Sequence, residues 1–280
     1  MSARTLSIDW LAYTIKGAAF LPLANTEELI AALPDFLKSD EIVLEKGMFG
    51  YAAAARGSSG ARALFGNDSR MGLHVIWSGS ALVGQDACVL IKEARLRGAH
   101  FTRVDVAFDM REGCVADFVH AYKQGRFTGR RRDYSEIKSS GDGHTFYVGS
   151  RSSDQMMRIY NKAAQMEVSG IWIRAELETK GDLANGVCRF ITNTANQTAA
   201  MLGVINAFVA FPSIPAWETG DLEYSISGSD KGSRKTREWA LGAVRTQAEL
   251  CLLDKTFMED LLATFIAEGV DFASFFAKVG

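Results

Sequence analysis

Charged residues recur at every second position in three stretches of this chain, and that rhythm constrains its fold more than any other feature. In TRVDVAFDM, Arg103, Asp105 and Asp109 alternate with Val104, Val106 and Phe108. In WIRAELETK the charged set is Arg174, Glu176, Glu178 and Lys180, and in MRIYNK the polar set is Arg158, Tyr160 and Lys162. Successive side chains on a strand point to opposite faces, so each set shares a face. The chain must therefore build a sheet with a charged face to set against an apolar one.

The elements around these runs agree with a sheet. LSIDWLAYTI (6–15) reads as a strand with Leu6, Ile8 and Trp10 on one face and Ser7 and Asp9 on the other. A helix is expected from Thr26 to about Leu33, and glycine-punctuated runs between 42 and 79 predict a meander. Asp86 can cap a helix over ACVLIKEARLR; a strand over 100–110 and an amphipathic helix over 115–125 follow. A polar strand falls within 129–144, and 145–180 holds up to three more. Residues 183–211 carry helical spacing, 212–230 form a connector, and helical runs follow with caps at Ser233 and Asp254. The expectation is an α+β catalytic domain over 1–182 on an antiparallel sheet, then a helical C-terminal portion over 183–280 packing on it or extending it.

Composition excludes several classes. With 48% hydrophobic and 23% charged residues in 280, the chain can bury a substantial core. A net charge of −2 gives no global basic field, so nucleic-acid contacts would depend on local patches. The cysteines at 88, 114, 188 and 251 form no CxxC pair and read as reduced thiols of a cytoplasmic protein. MSARTLSIDW enters strand-like sequence without a signal pattern, and no apolar run is long enough to span a bilayer.

If the strands carrying Asp105, Asp109, Glu176 and Glu178 are neighbours, their carboxylates converge. Such a cluster repels itself unless a cation sits within it, and oxygen-only ligands suit Mg²⁺ or Mn²⁺. The plain alternative is a solvated face of ion pairs, since Arg103 and Arg174 share these faces. Tyr160 lies between Arg158 and Lys162, which could hold a phosphate beside it or favour its phenolate. Tyr147 is a rival for the same role. The histidines at 74, 100, 120 and 144 form no HxH pattern, and His74 and His120 read as structural. A carboxylate-pair enzyme such as a glycosidase, using Asp105 and Glu176, is the reading without a metal.

The order TRVDVAFD, TFYVGSRSSDQMMRIYNK, IWIRAELE resembles the replication initiation factor family (Rep_trans), rolling-circle initiators of plasmids and filamentous phages with relaxase relatives. GYAAAARG, HVIWSG and TREWALGAV also look like family features, so the likeness spans about 5–250. It implies a fold related to histidine-hydrophobic-histidine endonucleases, with carboxylates replacing the histidines as metal ligands. It implies a nickase and strand transferase that recognises an origin and links a tyrosine to the 5′-phosphate. Tyr160 matches the nucleophile, Asp105 the aspartate of TRxD and Glu176 the glutamate of RxE; Asp109 and Glu178 are further candidate ligands. The cofactor implied is Mg²⁺ or Mn²⁺. The partners are single-stranded or hairpin origin DNA, a host helicase and a second copy, with no membrane. Candidate DNA contacts are Arg103, Arg151, Arg174 and the run Arg130-Arg131-Arg132. The family's usual glutamate near position 165 is Gln165 here, with Glu167 two residues on. An alternative is a non-catalytic, origin-binding or regulatory relative.

Overall fold

Two eleven-residue strands, β1 (Thr5–Ile15) and β6 (His100–Met110), lie antiparallel at the centre of one sheet. The structure is a computed structural model that describes residues 4–16, 42–66, 71–130, 132–139, 143–220 and 222–224. On one side of this pair run β5 (Leu73–Trp77), β4 (Arg62–Phe65), β3 (Ala53–Arg56) and β2 (Val43–Lys46), the expected meander. On the other side come β10 (Ile173–Lys180), β9 (Gln155–Asn161), β8 (His144–Val148) and β7 (Tyr134–Lys138). All pairings among the described residues are antiparallel.

One face of the sheet is the main core. Leu11, Val104, Val106, Phe108, Phe146, Met157, Ile159 and Leu177 point into it. Four helices supply the other side of that core: α1 (Ala87–Leu96), α2 (Val115–Lys123), α4 (Gly181–Asn193) and α5 (Gln197–Phe208). Asp86 caps α1 as expected, accepting the N–H groups of Cys88 and Val89 at 2.9 and 3.2 Å. A four-residue helix, α3 (Lys162–Gln165), comes directly after β9, with the Asn161 side chain accepting from Ala164 N–H at 3.0 Å. Lys162 therefore starts a helix instead of ending a strand, because Asn161 supplies a cap at that point.

The first strand departs from its expected alternation. Leu6 and Ile8 pair with Phe108 and Val106 on the core face, but Trp10 pairs with Asp105 on the open face. The register shifts between Ile8 and Trp10, so Asp9 is an extra residue, and a bulge of this kind re-aims the side chains beyond it. From Leu11 onward the odd-numbered residues, Leu11, Tyr13 and Ile15, are the core ones.

The expected division at 182 falls in the first turn of α4, and α4 and α5 pack on the sheet. The helix expected from Thr26 and the runs beyond 230, with Ser233 and Asp254, lie outside the described residues. No helix among the described residues is long and apolar enough to cross a membrane.

Candidate functional site

The open face of β9, β10 and β6 is a ladder of cross-strand rows. Tyr160 faces Arg174, which faces Asp109. Arg158 faces Glu176, which faces Ala107, and Met156 faces Glu178, which faces Asp105. Lys180 faces Arg103 in the last row. Alternation on three separate strands thus meets in one place, and Tyr160 shares a face with Asp105. Ala107 sets no bulk opposite Glu176, so the acids of the rows above and below can close on it.

These charges are mostly out of water. Asp105 and Glu176 are each 1% exposed, and Arg174 and Asp109 are buried. Each acid has a cationic partner, as buried charge requires. Arg103 holds both oxygens of Asp105, at 2.8 and 2.5 Å, and reaches Glu178 at 2.7 Å. Arg174 binds Asp109 through two bonds of 2.7 and 2.8 Å and takes Asp9 at 2.6 Å. Lys180 meets Glu178 at 2.6 Å. Glu176 accepts one hydrogen bond from Arg158 and another, of 3.1 Å, from Tyr160 Oη.

Titration reflects this crowding. Burial pushes the Asp105 carboxyl up to about 7, against the hydrogen bond from Arg103 and with help from Glu176 and Glu178. Burial, then the negative charge of Glu176, raises the Tyr160 phenol far above its usual value of 10.0. Burial and the charge of Arg174 lower Lys162. A cavity of about 380 Å³ opens beside Tyr160, lined by Ser139, His144, Thr145, Asn161 and Gln165 among others. That is within the size range of small-molecule and cofactor sites.

In donor chemistry the acids fit a hard divalent cation: they are oxygen-only, buried and mutually repelling. Among the described residues, however, no group of three or more His, Cys, Asp or Glu stands ready to hold a metal. The guanidiniums of Arg103 and Arg158 occupy Asp105 and Glu176, and binding a cation would need them to yield.

Other expected residues lie elsewhere. Lys162 Nζ sits 5.8 Å from the Tyr160 ring centre and donates to Gln165 Oε1 at 2.8 Å. Arg151 is exposed in the β8–β9 turn and donates to Tyr147 Oη at 3.1 Å, while Tyr147 faces Arg158 across the sheet. Arg130 is exposed. Arg132 stacks 3.9 Å over Phe208 and donates to the Phe208 carbonyl at 2.7 Å, on the helix-covered side. Arg131 is outside the described residues. His74 is structural as expected: its Nδ1 lies 2.9 Å from Thr14 Oγ1 and its ring stacks on Tyr51.

Sequence reasoning missed Asp9, Trp10, Trp172 and Arg111 on this face. Trp172 extends the even-numbered set of β10 by one place, which the alternation could have shown. Asp9 stands on the polar face that alternation gives it, but the bulge that turns Trp10 onto this face leaves no such trace.

Residues 99–231 match the replication initiation factor family. The three motifs fall inside that segment, while GYAAAARG, HVIWSG and TREWALGAV fall outside it. The fold is similar to that of a rolling circle replication initiator protein from Geobacillus stearothermophilus, at 21% identity and a TM-score of 0.59. That likeness covers 82% of this chain and 91% of the other. A comparison with curated protein sequences finds no match. Residues 99–231 are thus similar to replication initiation factors, and the chain has an α+β, antiparallel-sheet fold like that of this rolling circle initiator.

Proposed function

We propose that the chain initiates rolling-circle replication by nicking one DNA strand at an origin, with Tyr160 as the nucleophile. The observation behind this reading is the hydrogen bond of Tyr160 Oη to Glu176 Oε2, on the buried face that also holds Arg158 and Asp105. Tyr160 Oη attacks the scissile phosphorus and its proton passes to Glu176. The P–O3′ bond breaks, its electron pair leaves on O3′, and that oxygen takes a proton to become the free 3′-OH. The 5′-phosphate stays on Tyr160 as a diester, so a later attack by a 3′-OH can rejoin the strand. Because the phenol is held protonated by burial, a base in contact with it is needed at the moment of attack. Arg158 and Lys162 hold phosphate oxygens.

Mg²⁺ or Mn²⁺ would be held by Asp105 and Glu176, with Asp109 or Glu178 as a further ligand or support. When bound, it supplies positive charge to the scissile phosphate. Origin DNA, single-stranded or extruded as a hairpin, is the proposed partner; a host helicase and a second copy are partners the family likeness implies. Arg103 and Arg151 are proposed as backbone contacts of this face, whereas exposed Arg130 lines a separate cleft with Arg132 and Phe208.

The test is incubation with supercoiled and single-stranded origin DNA plus Mn²⁺, reading covalent protein–DNA adduct on a denaturing gel. Tyr160→Phe should give none, and Tyr147→Phe should keep it. The opposite pattern moves the nucleophile to Tyr147, which has Arg151 on its hydroxyl. The engagement of every acid by a cation favours a second reading, a DNA-binding relative without cleavage. Binding with no adduct under any divalent cation would select it.

A further inference from the structure

One row of the ladder beyond Tyr160 holds Lys162, Trp172 and Arg111, and two of these have no part in the chemistry above. The row continues past the strand ends because Trp172 O accepts the Lys162 and Ala163 N–H groups at 2.7 and 3.2 Å. Arg111 is exposed, and its guanidinium lies 4.2 Å over the Trp172 ring. Arg174 lies 5.8 Å from the same ring, so two cations border the indole.

Arg111 differs from the other cations of this face. Arg103, Arg158, Arg174 and Lys180 are each bound to carboxylates, and Lys162 to Gln165. Among the described residues Arg111 has neither a carboxylate nor a hydrogen-bond acceptor; its one contact of this kind is the indole. Trp172 Nε1 is buried and also lacks an acceptor. Stacking fixes the plane of the guanidinium and leaves its N–H edges free. The row thus offers two cations and an unused indole N–H, with no acid of its own.

We infer that Arg111, held flat on Trp172, binds the phosphodiester next to the scissile one on a single-stranded nucleic acid. Two residues along a strand advance about 6.7 Å, which is comparable to one nucleotide step of an extended backbone. A strand whose scissile phosphate lies at Tyr160 therefore sets its neighbouring phosphate at this row. Arg111 takes the phosphate through its free edge, and Trp172 is the platform that positions it. This inference rests on the proposed DNA-nicking function and adds a backbone subsite to it.

The test uses the full chain in EDTA, so that no cleavage step enters, with a short labelled single-stranded DNA of mixed sequence, titrated with salt. Arg111→Ala should weaken binding about tenfold, as loss of a charged hydrogen bond does. It should also reduce the slope of log affinity against log salt by about 0.7, the share of one phosphate on a single strand. Trp172→Phe keeps a smaller ring under Arg111 and removes the N–H, so affinity should fall less and the slope stay unchanged. Lys92→Ala, on an exposed site of α1 behind the sheet, is the control and should change neither. If the wild-type chain binds and Arg111→Ala leaves affinity and slope untouched, the subsite is wrong while the nicking function stands. If the wild-type chain binds no single strand at all, the functional reading falls and takes the subsite with it.

Discussion

The open face of the sheet has two halves of opposite character. Toward β5, β4 and β3 it is a small apolar cluster of Ala12, Ala54, Leu64 and Ile76, flanked by Trp10, Met48 and Tyr51. Toward β10 and β9 it is the ion-paired ladder, and Arg103 lies 4.7 Å over Trp10 where the halves meet. The backbone is the same continuous antiparallel sheet in both. The apolar half stabilises the fold through burial. The charged half contributes little net stability, because desolvating buried ions offsets most of their attraction. Arginine on every buried acid is a poor way to hold a sheet together and a good way to keep carboxylates in a fixed place.

The contrast can be broken most strongly at Arg174. Arg174→Met leaves Asp109 and Asp9 without their cation and should cost about 3–5 kcal/mol in urea unfolding at neutral pH. A cost under about 1 kcal/mol would mean that water already reaches these acids. On the apolar side, Leu64 is fully buried, and Leu64→Ala should cost about 3 kcal/mol by the same measurement while leaving single-strand binding intact. Replacing a whole pair is the sharper experiment. Arg158→Met with Glu176→Leu should leave stability unchanged or raise it by about 1–4 kcal/mol, and should abolish adduct formation. A large loss of stability there would show that the charged half supports the fold after all.

The smallest effect concerns His74, on the apolar side. Burial lowers its pKa below the ordinary 6.5, so between the two values the folded chain binds fewer protons than the unfolded one. Stability should therefore decline as pH falls through 6.5 toward the folded value, and thermal melts of His74→Gln should lose that part of the pH dependence.

Much of this was readable in the sequence because strand alternation is strictly local. The sets at 103–109, 158–160 and 174–180 each showed their shared face, and motif order pointed to one family. Neighbour relations were conditional: nothing in the residues fixed β10 against β6, or set Ala107 opposite Glu176. The ion pairs were legible only as an alternative, since Arg103 and Arg174 could be seen beside the acids but not reaching them. Lys162 was misplaced by one element because a strand pattern and an Asn cap overlap at Asn161. Arg132 looked like a DNA contact because a charge run does not say which side of a sheet it lies on.

The extra residue in β1 has a consequence for how this site tolerates change. Gly79 leaves room for Asp9, since a Cβ there would sit 2.8 Å from Asp9 Oδ1. Ile8 and Leu11 both face the core although three positions apart, so deleting Asp9 would restore plain alternation with Leu6, Ile8, Leu11, Tyr13 and Ile15 all still facing inward. What would be lost is one carboxylate that Arg174 holds. The electrical neutrality of a site at the far side of β6 is thus governed by a count of residues in the first strand. Losing that one residue would leave the Arg174 guanidinium with Asp109 alone and shift the balance of charge across the ladder without disturbing the apolar face.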